Sequence, residues 1–170
     1  MAAFLFRMPA GFPGDVNRTR PCTIEPTVTS STSPPTSFGQ AVVLDAATHG
    51  VRLINVSTDS VAPYGITVRP YPSQETSTTA MGAVGFGAGT PALTGIMDVL
   101  RSGYINVKVN GATVPVKGGV VYVWHAASSG AHVQGGFEAV STGGSTITLT
   151  NCAFNGPTDA DGVTEIMFNI

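Results

Sequence analysis

Charge is what this sequence has least of. Only 11% of its 170 residues are Asp, Glu, Lys or Arg, against roughly 25% in typical soluble domains. Lysine stands at Lys108 and Lys117 alone. A surface so poor in charge guards weakly against self-association, so much of it is expected to lie under partners. The formal charge of −2 gives no electrostatic reason to expect nucleic acid or an anionic membrane as a ligand. Cysteine is nearly absent too. Cys22 and Cys152 form a single, widely separated pair in a chain with no visible export signal, and free thiols are expected. The apolar start, Ala2 to Phe6, is broken by Arg7 and Pro9, which leaves it too short for a signal-peptide core. No run approaches the roughly 20 apolar residues that a membrane-spanning helix needs.

What fills the chain instead is Gly, Pro, Ser, Thr and Val, a composition that favours short strands and tight turns. Residues 93 to 124 carry the clearest pattern. Ile105, Val107 and Val109 alternate with Tyr104, Asn106 and Lys108, which gives a strand one apolar face. Asn110-Gly111 follows, and such a pair suits a two-residue hairpin turn, so a central hairpin is predicted. Val120 to Trp124 then begins a strand apolar on both faces, one that must be covered on both sides. Further strands are read at Ala41 to Leu44, Gly50 to Ser57, Tyr64 to Arg69, His132 to Val140, Ser145 to Thr150 and Val163 to Phe168. Met97 to Arg101 could form one helical turn between Gly95 and Gly103. Roughly nine to eleven short strands at steady spacing predict an all-β fold, a single small β-barrel or a jelly-roll-like sandwich.

Residues 1 to 38 read differently from residues 39 to 170. Prolines 9, 13, 21, 26, 34 and 35 exclude a helix, and residues 27 to 37 are a Ser/Thr/Pro segment with little to bury. The expectation is an extended N-terminal arm ahead of one β-domain. Phe4, Phe6, Arg7, Met8, Phe12, Arg18 and Arg20 are its candidate contact residues. At about 3.3 Å per residue, twenty residues span roughly 65 Å, enough to reach a neighbouring subunit; the other reading folds the arm back on its own barrel. Arg7, Arg18 and Arg20 face only Asp15 in that stretch, while from Glu138 onward there is no Lys or Arg. A basic start and an acidic end could attract one another, within a chain or between chains, or be scattered surface charge.

No constellation for catalysis emerges. Gly85-Phe86-Gly87-Ala88-Gly89 lacks the following helix of a dinucleotide fingerprint, because Pro91 and Gly95 intervene. His125 and His132 bracket a short loop but want further ligands for zinc, and they read as hydrogen-bonded core or turn residues. Asp159-Ala160-Asp161-Gly162 resembles a calcium loop in passing, yet Pro157 and Phe168 occupy its first and last ligand positions. No enzyme activity, metal or cofactor is expected.

Four stretches carry a family resemblance. Pro13-Gly14-Asp15-Val16-Asn17-Arg18, Gly39-Gln40-Ala41-Val42, residues 98 to 107 (DVLRSGYINV) and the ending 161 to 170 (DGVTEIMFNI) resemble the structural cement, or decoration, proteins of tailed-bacteriophage heads. That resemblance implies a small non-enzymatic all-β protein on the outer surface of the virion capsid, made in the host cytoplasm. It would bridge neighbouring major capsid protein subunits against internal DNA pressure. The partners it implies are the major capsid protein and further copies of itself, as a dimer or trimer at a symmetry axis. A glycan-binding or adhesive β-module on the virion surface is the alternative, and it would need aromatic platforms beyond Trp124 and the tyrosines.

Overall fold

The computed structural model describes residues 11–55, 59, 62–70, 91 and 95–170. The fold is all-β. Its strands are β1 (Thr23–Val28), β2 (Ala41–Leu44), β3 (Val51–Leu53), β4 (Gly65–Thr67), β5 (Ile96–Lys108), β6 (Val120–Trp124), β7 (Phe137–Glu138), β8 (Thr146–Phe154) and β9 (Val163–Phe168). They form one antiparallel sheet in the order β3-β2-β4-β5-β9-β8-β6-β7, with β1 added on β5. The sheet curls into a half-barrel. Side chains from β2, β4, β5, β6, β7, β8 and β9 meet in one core, centred on Ile66, Leu100, Ile105, Val107, Val121, Val123, Phe137, Phe154 and Ile166. The two flanks also touch directly: the Ala41 N–H donates to Gly135 O at 2.8 Å, and the Asn110 N–H donates to Phe137 O at 2.7 Å.

β5 is the axis of this arrangement. Its first half lies between β1 and β4, and its second half pairs with β9. Leu100, Ile105, Val107 and Val109 all enter the main core, although Leu100 and Ile105 are an odd number of residues apart. The strand must therefore switch faces between them, and just before Gly103 its register against β1 shifts, with Ser102 opposite Thr23 and Leu100 opposite Ile24. Gly103 holds φ +144, and a Cβ there would meet Pro21 O at 3.0 Å and Leu100 Cδ1 at 3.2 Å. Such a backbone and so close an approach are the conditions under which a strand glycine marks a bulge. On the opposite face Met97 and Val99 join Val42, Val51 and Tyr64 in a second, smaller cluster. The helical turn anticipated at Met97 to Arg101 is thus a strand, because flanking strands on both sides hold its backbone extended.

The central hairpin does not form. β9 and β8 lie between β5 and β6 in the sheet. Gly111 takes φ +74, but Asn110 is not among the residues of positive φ, so the two-residue turn is not made. Asn110 is instead buried, and its side-chain amide donates to Val133 O at 3.2 Å. The strand patterns survive this change of partner. Ile105, Val107, Val121 and Val123 are fully buried, whereas Val120 is 49% exposed, so β6 is not covered on both faces along its whole length.

Residues 11 to 38, expected to extend as an arm, lie on the sheet. β1 pairs with β5 throughout its length. The Leu53 N–H donates to Ser33 O at 2.8 Å, and Ser30 N–H donates to Val51 O at 2.9 Å, so the Ser/Thr/Pro segment runs beside β3. Gln40 fastens its end, accepting from the Thr36 and Ser37 N–H groups at 2.8 Å each. The glycine-dense stretch 82 to 89 and the expected contacts Phe4, Phe6, Arg7 and Met8 lie outside the described residues.

Gly103→Ala is expected to destabilise the fold by about 1–3 kcal/mol through forced backbone strain. Val107→Ala and Val123→Ala are expected to cost about 1–4 kcal/mol each by lost burial and cavity formation. Thermal or denaturant unfolding checks all three. An unmoved melt for both valine variants would contradict the core assignment.

Candidate functional site

No site for chemistry is assembled among the described residues. No group of three or more His, Cys, Asp or Glu side chains there could hold a metal ion. His125 is buried between Gly144 O, 3.0 Å from Nε2, and Asp59 O, 3.4 Å from Nδ1. The His132 ring stacks on Trp124 with centroids 4.3 Å apart, and its Nδ1 lies 2.5 Å from the buried Glu138 carboxylate. Each histidine thus fixes loops around β6 and β7. Asp159 Oδ1 accepts from the N–H groups of Asp161 and Val163, which closes an acidic turn.

Several large apolar side chains are exposed, among them Phe12, Ile24 and Val28 of the N-terminal segment. Gly14 is wedged between β4 and β5: its N–H donates to Asn106 O at 2.8 Å and its carbonyl accepts from the Arg69 N–H at 2.9 Å. Arg18 makes a paired contact with Glu165, Nε to Oε1 at 3.0 Å and Nη2 to Oε2 at 2.6 Å. Its guanidinium also sits 4.2 Å above the Tyr104 ring. The hydrogen bond to Glu165 holds the Arg18 pKa above its ordinary value. Here the basic start and the acidic end of the chain meet, within one molecule. Phe12 lies under the Arg69 guanidinium at 4.4 Å yet stays 63% exposed. Arg20 is exposed, with no ion-pair partner among the described residues. Of the expected contact residues that are described, Phe12 and Arg20 therefore face solvent and Arg18 is engaged in the fold.

The sequence reading missed β1. Ile24, Pro26 and Val28 project from one side of this strand and all three are exposed. Glu25, between them, accepts from the Tyr64 hydroxyl at 2.6 Å and pairs with Arg101, which caps the Tyr64 ring at 3.5 Å. The signal was present as Ile-Glu-Pro-Thr-Val, an alternation around a proline that marks an edge strand. It lay hidden in a stretch read as arm. A second apolar patch, Val114, Val116 and Val120, surrounds the turn into β6.

The sequence matches the XM1 gp53 minor capsid protein family over residues 1–168. The chain belongs to that family. Its structure is similar to a chain in the capsid of Myoviridae phage XM1, with a TM-score of 0.72 and 19% sequence identity. The alignment covers 99% of this chain and 98% of that one, and it shows a shared fold. No curated protein matches the sequence.

Both cysteines of this minor capsid family member are free and pack against the main core. Burial pushes the Cys152 thiol up to about 12. In the unfolded chain an ordinary cysteine ionises near 8.5. Between those values the unfolded state releases a proton that the native state retains, so stability falls as pH rises from about 9 toward 12. Cys152→Ala should remove this contribution, at most about 1.4 kcal/mol per pH unit. Comparing the slopes of unfolding free energy against pH for the two proteins checks it.

Proposed function

We propose that this protein is a non-enzymatic cement on the outer surface of a phage head, bridging neighbouring major capsid protein subunits and stabilising the shell against internal DNA pressure. The observation that carries this reading is the family match, which runs through nearly the whole chain. Three features support it. The sequence is sparing in charge, an edge strand carries exposed apolar side chains, and the ion pairs Arg18–Glu165, Arg52–Asp59 and His132–Glu138 fasten loops and strands.

Cementing is multivalent binding. Each copy makes modest contacts with several neighbours, and the shell supplies a high effective concentration for every contact after the first. In this account the half-barrel is the rigid body, and residues 2 to 10 are the reaching element. Phe4, Phe6, Arg7 and Met8 meet a neighbouring subunit, with Phe12 and Arg20 at the base of the contact. Arg18 is the tether: through Glu165 it fixes the point from which the reaching element departs. Copies of the protein associate around a symmetry axis, where each uses the same patches.

Deleting residues 2 to 10 separates stability from binding. The truncated protein is expected to melt close to the full chain and to lose most of its co-sedimentation with undecorated capsids. Deleting residues 2 to 20 also removes Gly14 and Arg18, and should lower the melting temperature as well. Full capsid binding by the shorter deletion would refute the arm's role, and failure of the full-length protein to bind capsids would refute the cement reading.

A further inference from the structure

The segment just before β1 is held on the barrel by contacts that β1 does not share. Gly14 and Asp15 lie along the second half of β5: the Gly14 N–H donates to Asn106 O at 2.8 Å, and the Asn106 N–H donates to Asp15 O at 2.9 Å. Gly14 O also accepts from the Arg69 N–H at 2.9 Å. The seat is closely fitted, since a Cβ on Gly14 would meet Phe38 Cβ at 2.7 Å and one on Gly39 would meet Gly14 N at 2.9 Å. Val16 packs against the main core, and Arg18 closes the far end on Glu165 and the Tyr104 ring. Residues 11 to 18 are thus a strap, and Asn106 beneath it is fully buried. With the strap lifted, this edge of β5 would present unpaired backbone groups, the kind of edge that pairs with another chain.

The continuation of the strap is held differently. Residues 17 to 21 are all exposed, and Thr19, Arg20 and Pro21 make no backbone hydrogen bond among the described residues. β1 then resumes on the first half of β5, from Thr23 opposite Ser102 to Val28 opposite Ile96. Strap and β1 therefore occupy separate halves of one strand, and the strap can leave its seat with β1 still in place. The link of Thr19, Arg20 and Pro21 reaches roughly 10 Å when extended, and Pro21 restricts Arg20 before it to extended backbone. A short hinge between two separately seated elements favours exchange of one of them between copies.

We propose that the strap, residues 11 to 18, is exchanged between copies of this chain, so that Gly14 bonds to Asn106 and Arg18 pairs with Glu165 of a second copy. The seat is already shaped for this occupant, because an identical segment fills it within one copy. An exchanged strap makes the same contacts as a retained one, so the balance is set by the hinge and by the local concentration of copies. In dilute solution the strap closes on its own barrel. Where copies are crowded side by side, exchange joins neighbouring barrels backbone to backbone. The inference takes its setting, a crowded shell, from the cement reading and deepens it by naming how copies are joined.

Two charge-reversed full-length proteins test it, Arg18→Glu and Glu165→Arg. Alone, each sets like charges together at the end of the strap, in its own seat and in that of any identical copy. Mixed in equal amounts, each strap meets the opposite charge only on the other protein. Native mass spectrometry should find mixed oligomers about tenfold more abundant than oligomers of either variant alone at the same total concentration, because like-charge contacts suppress the wrong pairing. The double variant Arg18→Glu/Glu165→Arg restores the pair within one chain and should be as monomeric in dilute solution as the unaltered protein. Should a single variant fold poorly, the unaltered protein at high concentration serves instead. With half its copies labelled with nitrogen-15 and half with carbon-13, isotope-filtered spectra should show Gly14 of one copy against Asn106 of another. A mixture that stays monomeric, single-variant oligomers as abundant as mixed ones, or Gly14 against Asn106 within copies only would overturn the proposal. None of these readouts involves capsids, so a protein that exchanges straps yet leaves capsids bare would overturn the cement reading alone.

Discussion

A thirteen-residue strand that lines two cores must change the face it presents, and β5 does so between Leu100 and Gly103, where its register against β1 shifts. Before the glycine, Met97 and Val99 supply the small outer cluster while Leu100 reaches the barrel interior. After it, Ile105, Val107 and Val109 take over that interior. Without the switch, the second half of the strand would turn three apolar side chains outward and bury Tyr104 and Lys108. The bend also lets one short loop close on both halves. Gly14 bonds to Asn106, and to Arg69 beside the residue that pairs with Asp98. The shared core and the fastened N-terminal segment are built around that irregularity.

The fastening has a functional consequence. A chain of this composition has few charges for holding loops, and it spends them locally. Arg18 is paired with Glu165, Arg52 with Asp59, Arg101 with Glu25, and His132 with Glu138. The pair of Arg52 and Asp59 is the most enclosed, with side-chain exposures of 16% and 9%. What is left outside is apolar and hydroxyl-bearing, a surface suited to being covered. Family membership among minor capsid proteins gives that surface a setting, and the proposed cementing role would draw on many modest contacts with repeated neighbours.

The all-β class and most strand positions were legible because strands announce themselves by alternation and by the turns that bound them. Ala41–Leu44 and Val163–Phe168 coincide with their sequence patterns. Strand pairing was not legible. Asn110-Gly111 favours a hairpin only if local turn geometry decides the partner, and here the burial of Asn110 beside Val133 and Phe137 decided it. β1 was overlooked for a related reason. It pairs with residues 68 to 79 positions away, and its short alternation of Ile24, Pro26 and Val28 is set within a Pro/Ser/Thr-rich stretch that reads as arm. The exposed face beyond the core could be seen only once the register placed Ile24, Val28 and Ile96 side by side. The meeting of Arg18 with Glu165 was visible as an imbalance of charge between the ends of the chain, but its being within one molecule required the fold.

The central claim is that this protein strengthens a filled head. It is tested most directly by heating DNA-filled heads that lack the protein, with and without the purified chain added back, and recording the temperature at which DNA becomes accessible to a dye. The account predicts that saturating addition raises the release temperature, and that the chain without residues 2 to 10 restores little of the increase. Release at the same temperature with the full-length protein bound would contradict it.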